Sequence, residues 1–241
     1  MPLPGGAAGK AGNRFELKWV VRQFLRLLSG EAEWICLEPP VPEGSGIEFQ
    51  IGIGGRATEV HQVKRQRGAA GVWTIPSLQQ TGVLGAIRKH AIEANKSFYF
   101  VSMEAVKGLR ELTDRAREAN NFHDFENHFL NQELSGSFEV LLSGLAVERR
   151  DDLFAVLQRI FPTSIDEREL TDLTASSLGR FIDGNPDTAL SVLSSWALEN
   201  THRRVIAHDV WGALPQGVFG QVKLQPMQRS YRNSRIGLGV T

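Results

Sequence analysis

One stretch of the chain, residues 59–67, limits the possible folds most strongly, because it alternates like a β-strand and ends in polar and basic residues. Side chains alternate between the two faces of a strand, so Val60, Gln62 and Lys64 are predicted to share one face. Gln62 and Lys64 would then point the same way, with their roots about 7 Å apart. Edge strands also carry lysine as protection against sheet-to-sheet pairing, so the pair has a purely structural interpretation as well.

An acidic residue precedes this pair on a second predicted strand, where Glu48 offers a carboxylate to the neighbouring strand. Hydrolysis of a phosphodiester requires an activated water and neutralised phosphate oxygens, and a divalent metal held by carboxylates supplies both. We predict Glu48 as the main metal ligand, with the Gln62 side chain and the backbone carbonyl of Val63 as further ligands. Lys64 is predicted to face the nucleophile or the scissile phosphate.

Three more charged residues belong to this hypothesis. Glu16 lies at the edge of the apolar stripe of a helix predicted over residues 14–28. It is interpreted either as an additional metal ligand or as a structural acid beside the pocket. Arg65 and Arg67 continue past the strand and are predicted to touch flanking phosphates of DNA.

Composition excludes several classes of protein. The chain has 241 residues, of which 41% are hydrophobic, so it can bury a substantial core. Basic and acidic residues number 27 each, so any nucleic-acid contact must use local patches. The single cysteine, Cys36, rules out an intramolecular disulfide and a multi-cysteine zinc site. No apolar run is long enough for a membrane span, and we expect a cytoplasmic protein.

The order of predicted elements gives a fold class. The predicted elements of residues 13–120 are, in order, a helix capped by Asn13, strands over residues 34–38, 47–53 and 58–64, a helix over residues 76–94, a strand over residues 97–103 and a helix over residues 105–119. This order predicts an α/β sandwich. The Gly54-Gly55 pair between the second and third strands predicts a tight hairpin turn. Residues 1–12 are rich in glycine and alanine and are expected to form a flexible N-terminus. Residues 121–241 show short amphipathic helices and no convincing strand, so they are expected to form a helical extension.

A family resemblance rests on several short motifs. They are Gly12-x-x-Phe15-Glu16, Cys36-Leu37-Glu38, Gly46-Ile47-Glu48, Val60-His61-Gln62-Val63-Lys64-Arg65, and the blocks at residues 97–102 and 204–214. They resemble the PD-(D/E)xK nuclease superfamily in its Mrr-like, Gln-x-Lys variant. More narrowly, they are similar to the double-stranded-DNA endonuclease domain of bacterial antiphage proteins, including CBASS nucleases and Avs-type STAND NTPases. The family usually has aspartate at the first acid, where this chain has Glu48.

This resemblance implies a restriction-endonuclease-like core, a central mixed sheet flanked by helices, with an α-helical C-terminal extension. It also implies a Mg²⁺- or Mn²⁺-dependent endodeoxyribonuclease with Glu48, Gln62 and Lys64 as catalytic residues. The expected substrate is double-stranded DNA, cut with low sequence specificity as the effector step of antiviral defence. Because one active site cuts one strand, the resemblance favours a homo-oligomer, with a sensor or NTPase domain elsewhere in a longer protein.

Two interpretations from other classes stay open. In the first, the chain keeps this fold but has lost turnover and only holds DNA. In the second, the helical half, residues 121–214, docks a partner protein while the α/β half serves as its scaffold.

Overall fold

The computed structural model describes residues 5–65, 71–215 and 220–221, so Arg67 lies outside the described residues. The helices are α1 Gly5–Leu28, α2 Ile75–Gln80, α3 Val83–Ile87, α4 Leu109–Glu118, α5 Phe122–Asp124, α6 Gln132–Gly144, α7 Arg150–Leu157, α8 Glu167–Leu178, α9 Pro186–Glu199 and α10 Ala207–Ala213. Two π-helical segments, Arg88–Glu93 and Phe125–Phe129, continue α3 and α5. Within these ranges no helix combines the length and apolar character that crossing a membrane requires.

A six-stranded mixed sheet forms the centre of the molecule. The strands are β1 Trp34–Leu37, β2 Phe49–Ile53, β3 Arg56–Lys64, β4 Val72–Trp73, β5 Ser97–Ser102, β6 Ala105–Val106, β7 Ile160–Ser164, β8 Ile182–Asp183, β9 Arg204–Val205 and β10 Gly220–Gln221. The order in the large sheet is β7-β5-β3-β2-β1-β9, in which β3, β5 and β7 run parallel and the other neighbours pair antiparallel. Helices flank this sheet, which confirms the predicted α/β class with a central mixed sheet.

The predicted alternation of β3 is confirmed by its two neighbouring cores. Val60 packs with Phe98 and Phe100 in the core on the side of α2, α3 and α4. Val63 packs with Val101 in the other core, which α1, α8 and α9 cover. Gln62 and Lys64 therefore emerge from the same face of β3 as Val60.

The turn between β2 and β3 follows the prediction of a tight hairpin. Gly54 and Gly55 both adopt positive φ, 59° and 75°, which is the backbone geometry of a two-residue turn that matches strand twist. This hairpin sets Phe49 opposite His61. The register brings Glu48, one residue before β2, beside the end of β3.

Strands in the second half of the chain correct one expectation. The absence of strands after residue 121 was expected, but β7 pairs with β5 and β9 pairs with β1 at the two edges of the sheet. Pro162 lies within β7 and hides this strand in the sequence, because proline usually breaks regular structure. It is accepted in β7 because an edge strand leaves some N–H positions unpaired. The sheet thus draws strands from both sides of residue 120, while the expected domain limits remain a prediction.

Several helix limits also differ from expectation. Helix α1 starts at Gly5 and not after an Asn13 cap, although glycine, which disfavours helix, occupies four of the eight positions before Asn13. The single helix expected over residues 76–94 is divided into α2, α3 and a π-helical segment. The division occurs at Gly82, which has a φ of 79°. The helix expected over residues 105–119 begins at Leu109, because Ala105–Val106 forms β6.

A buried polar network joins α1 to the face of the sheet beneath it. Arg26 donates to both carboxylate oxygens of Glu59 at 2.7 Å. His61 is 1% exposed, stacks between the rings of Phe49 and Tyr99, and lies 3.6 Å from Glu59. Glu59 is therefore a structural charge, and His61 is packed in the core.

Candidate functional site

Glu48 and Lys64 meet at the end of the hairpin. Lys64 Nζ donates to Glu48 Oε1 at 3.0 Å, and the backbone N–H of Val63 donates to Glu48 Oε2 at 2.7 Å. The antiparallel pairing of β2 and β3 ends at Phe49 and His61, so the Glu48 side chain satisfies an N–H that the sheet leaves unpaired. Burial raises the pKa of Glu48, and the contacts with Lys64 and Val63 oppose that rise.

Glu16 comes close to this pair from α1. It lines a small cavity of about 60 Å³ together with Glu38 and Glu48. Burial raises the pKa of Glu16 to about 7, with further contributions from Glu48 and Glu38 and an opposing one from Lys64. A carboxyl group that titrates near neutrality beside a lysine can hold or release a proton under physiological conditions.

Gln62 is buried on β3, two residues before Lys64. It is 3% exposed, and its side-chain oxygen Oε1 has no hydrogen-bond partner in the described residues. A buried amide oxygen without a partner is costly unless a ligand or ion satisfies it. Gln50 on β2, the register partner of Val60, has an unpartnered Oε1 as well.

The donors present are compatible with Mg²⁺ or Mn²⁺. Carboxylate oxygens of Glu48 and the amide oxygen of Gln62 are the hard ligands these ions prefer, and waters complete such a shell. Among the described residues, no group of three or more His, Cys, Asp or Glu side chains is arranged to hold a metal ion. A metal would therefore use Glu48 and Gln62 with water, after Lys64 releases Glu48 Oε1. Coordination by Glu16 and by the Val63 carbonyl stays a prediction.

Arg65 lies next to the acidic group but bonds within the chain. Its Nη2 lies 3.2 Å from Glu167 Oε2 on α8, and Lys18 Nζ lies 3.0 Å from the other oxygen of Glu167. Sequence reasoning missed both Lys18 and Glu167, which are 149 residues apart. For Lys18 the sequence offers one indication of a functional position: it lies four residues after Arg14, on a basic side of α1.

A wide groove lies at the same edge of the sheet. Lys64, Ser102 and Ser164 are register partners at the carboxyl ends of β3, β5 and β7. Ser164 also lines a groove of about 990 Å³, two strand spacings or about 10 Å from Lys64. Its walls include apolar residues, hydroxyls and charges of both signs: Ile75, Val106, Leu134, Thr74, Ser137, Lys107, Arg110, Arg115, Glu111, Asp114 and Glu133. The groove is not apparent from the sequence, because its residues come from separate segments.

Comparison with known proteins gives a fold likeness only. No protein-family model matches the chain, and no curated protein matches it by sequence. A solved "Cap4 SAVED/CARF-domain containing receptor" from Moraxella osloensis matches with a TM-score of 0.50 and 8% identity, over 84% of this chain and 46% of that one. The Acinetobacter baumannii receptor with the cyclic trinucleotide 3'3'3'-cAAA matches with a TM-score of 0.53 and 11% identity, over 84% and 46%. The same receptor with 2'3'3'-cAAA gives 0.51 and 10%, over 84% and 44%. The chain therefore spans less than half the length of these structures.

These comparisons contradict two expectations from the sequence. The structures that share the fold are described as SAVED/CARF-domain receptors, two of them with a cyclic trinucleotide, and not as PD-(D/E)xK nucleases. We therefore correct both the assignment to that superfamily and the function of a DNA endonuclease effector. The physical reason is that a carboxylate beside a Gln-x-Lys pair is a local arrangement, and a local arrangement does not define a fold or its use.

Proposed function

We propose that this chain is a ligand-sensing module of a cytoplasmic antiviral defence protein and that it binds a cyclic oligonucleotide. The likeness to receptor structures that contain cyclic trinucleotides is the observation that carries this proposal. The comparisons do not support duplex DNA as a partner. The expected homo-oligomer and further domains of a longer protein stay predictions.

The wide groove is the site that we assign to this ligand. Its volume of about 990 Å³ lies at the upper end of the range of small-molecule sites, as a trinucleotide requires. Apolar walls around Ile75 and Leu134 suit bases, while Lys107 and Arg110 are exposed at the groove and suit phosphates. The groove also opens at the carboxyl ends of the parallel strands, where ligands of α/β sheets bind.

A bulky side chain inside the groove tests the assignment. Gly136 lines the groove on α6, and a Cβ atom added there meets nothing within 4 Å. Gly85 on α3 is equally unobstructed but lies outside the groove lining, so Gly85→Tyr is a matched control for Gly136→Tyr. Calorimetric titration with 3'3'3'-cAAA and 2'3'3'-cAAA should give micromolar or tighter binding to the wild type, weakened at least tenfold or so by Gly136→Tyr alone.

Two outcomes would overturn the proposal. One is a well-folded wild-type chain that binds neither cyclic trinucleotide at millimolar concentration. The other is equal binding by the wild type and Gly136→Tyr, which would show that the ligand does not bind in the groove. A linear adenosine trinucleotide in parallel shows whether the cyclic form is what the chain recognises.

A second candidate function belongs to the group formed by Glu16, Glu48, Gln62 and Lys64. We propose metal-assisted hydrolysis of a phosphodiester there, which keeps the expected enzyme class and the expected Mg²⁺ or Mn²⁺ as proposals. The observation that favours it is a proton-exchanging carboxyl, Glu16 with a pKa of about 7, beside a carboxylate–lysine pair. The metal would supply charge neutralisation at the phosphate, while Lys64 orients the water or the phosphate.

Turnover separates this candidate from simple binding. The chain is incubated with Mn²⁺ and either a chromogenic diester, the cyclic trinucleotide or duplex DNA, beside Lys64→Met and an EDTA control. Hydrolysis that disappears in both controls supports the enzymatic role and identifies its substrate. If the wild type hydrolyses none of the three diesters, the enzymatic role is rejected and ligand sensing is the remaining proposed function.

A further inference from the structure

Three basic side chains gather around the carboxylate of Glu167, and one of them belongs to Arg65, the residue after Lys64. Glu167 is the first residue of α8, and its two oxygens contact Lys18 Nζ at 3.0 Å and Arg65 Nη2 at 3.2 Å. Arg14 lies one helical turn before Lys18 on α1 and adds to the positive field at Glu167. Although burial alone would raise the pKa of Glu167, these cations lower it below its usual value. The group therefore carries an excess of positive charge.

Arg65 is not fully used by this contact. Its planar guanidinium carries N–H donors on two edges, and of these donors only Nη2 contacts Glu167. In the described part of the chain, the Nε of Arg65 is buried and has no hydrogen-bond partner. A guanidinium binds phosphate best through two parallel N–H groups, so Arg65 retains a donor that a larger anion would satisfy.

We propose that Lys18 and Arg65 form a phosphate-binding site that Glu167 occupies as an internal anion in the free chain. The site takes one phosphate group of a nucleotide phosphodiester, and it rests on the function proposed above for the neighbouring residues. Each of the two non-bridging oxygens of a phosphodiester accepts more than one hydrogen bond, so a phosphate between the two cations also accepts from the Arg65 Nε that Glu167 leaves unpaired. Binding therefore displaces the Glu167 side chain and loosens the contact between α8 and α1.

Inorganic pyrophosphate is the probe, because it tests the anion site without any base recognition. At low ionic strength, calorimetric titration should show that Glu167→Gln binds pyrophosphate about five- to tenfold more tightly than the wild type, since the internal competitor has lost its charge. Lys18→Met and Arg65→Met should each weaken binding by about fivefold or more. Asp172→Asn is the matched control on the same helix, because Asp172 is exposed and contacts only Arg168 at 3.9 Å among the ion pairs of the described residues.

The outcomes distinguish this site from the proposed function. The phosphate site is overturned if Glu167→Gln binds pyrophosphate with the wild-type affinity. It is also overturned if Lys18→Met and Arg65→Met both retain that affinity. If pyrophosphate responds as expected while the chain binds no cyclic trinucleotide and cleaves no diester, the site stands and the proposed function fails. Thermal melts of each variant establish that the compared proteins are folded, and the Gln variant preserves the shape of Glu167.

Discussion

Lys64 Nζ lies 3.0 Å from Glu48 Oε1 across two neighbouring strands, and the Val63 N–H holds the other oxygen at 2.7 Å. The carboxylate is mostly buried, with 16% of its side chain exposed, whereas 35% of the Lys64 side chain is exposed. The lysine is thus the partner that can move away, and Glu48 is the fixed member of the pair. Movement of Lys64 would expose one carboxylate oxygen to a metal ion or a phosphate-bound water.

Removing this lysine should destabilise the fold. Lys64→Met leaves a buried carboxylate without its cation, and we expect the free energy of unfolding at pH 8 to fall by about 1–2 kcal/mol. Urea denaturation measures the change. Glu48→Gln in the same chain should recover most of it, because no buried charge then remains. Lys107→Met removes an exposed lysine and serves as control, so an equal loss in that variant contradicts the prediction.

Short-range patterns in the sequence predicted most of the secondary structure in the first half of the chain. The period of two in β3 placed Val60, Gln62 and Lys64 on one face, and the glycine pair predicted the hairpin that brings Glu48 to Lys64. Strand β7 escaped prediction because it is short, contains Pro162 and gains its stability from pairing with β5, a partner about sixty residues away along the chain. Local propensity contains no information about such a partner.

The candidate site was predictable only in part, for the same reason. Glu48 and Lys64 are held by adjacent strands of one hairpin, so their contact follows from register. The contact between Lys18 and Glu167 joins the first helix to the eighth, and nothing local to either residue indicates it. Function was the least predictable property, because the same few side chains can serve binding or hydrolysis and a short motif does not choose between them.

Gln62 should matter for metal binding while Gln50 should not. Both are buried on the same face with an unpartnered Oε1, but Gln62 lies two residues from Lys64 on β3, whereas Gln50 pairs with Val60, four residues from Lys64. We expect Gln62→Leu to weaken Mn²⁺ binding by about tenfold or more, and Gln50→Leu to leave it unchanged. Mn²⁺ electron paramagnetic resonance measures the bound fraction without any substrate. Equal effects of the two variants would show that the amide oxygens act on folding and not on the metal.

Acid should weaken the fold through the buried network under α1. Burial lowers the pKa of His61 from 6.5 to about 4, against an opposing effect of Glu59. The folded state then binds fewer protons than the unfolded state between pH 4 and 6.5, so this stability is complete above pH 6.5 and is lost as the pH falls to 4. The full effect of such a shift is about 3 kcal/mol.

Glu59 extends the loss to lower pH. Burial alone would raise its pKa, but hydrogen bonds with Arg26 and His61 lower it from 4.5 to about 2. Its contribution is therefore present above pH 4.5 and disappears as the pH falls to 2.

A histidine substitution isolates the upper part of this pH dependence. His61→Phe retains a ring between Phe49 and Tyr99 but cannot titrate and no longer accepts from Trp19 Nε1. We expect lower stability at pH 7.5 and a flatter dependence of the free energy of unfolding between pH 6.5 and 4.5. His128 is exposed and lies outside this network, so His128→Asn should keep the wild-type slope. A wild-type slope in His61→Phe would assign the acid sensitivity to other groups.

The two halves of the chain should not fold separately. A fragment of residues 1–120 would lose β7 from the outer edge of β5 and β9 from the edge of β1. It would also uncover α1 where α8 and α9 pack, including the edge-on contact of Phe24 with Trp196 at 5.8 Å between ring centres. We expect poorly dispersed amide resonances and no cooperative thermal transition for this fragment, because the exposed apolar area exceeds what the remaining core can stabilise. Residues 1–221, which retain the pairing of β10 with β8, should fold like the full chain and provide the matched control. A cooperative melt and a dispersed spectrum from residues 1–120 would instead establish the first half as an independent domain.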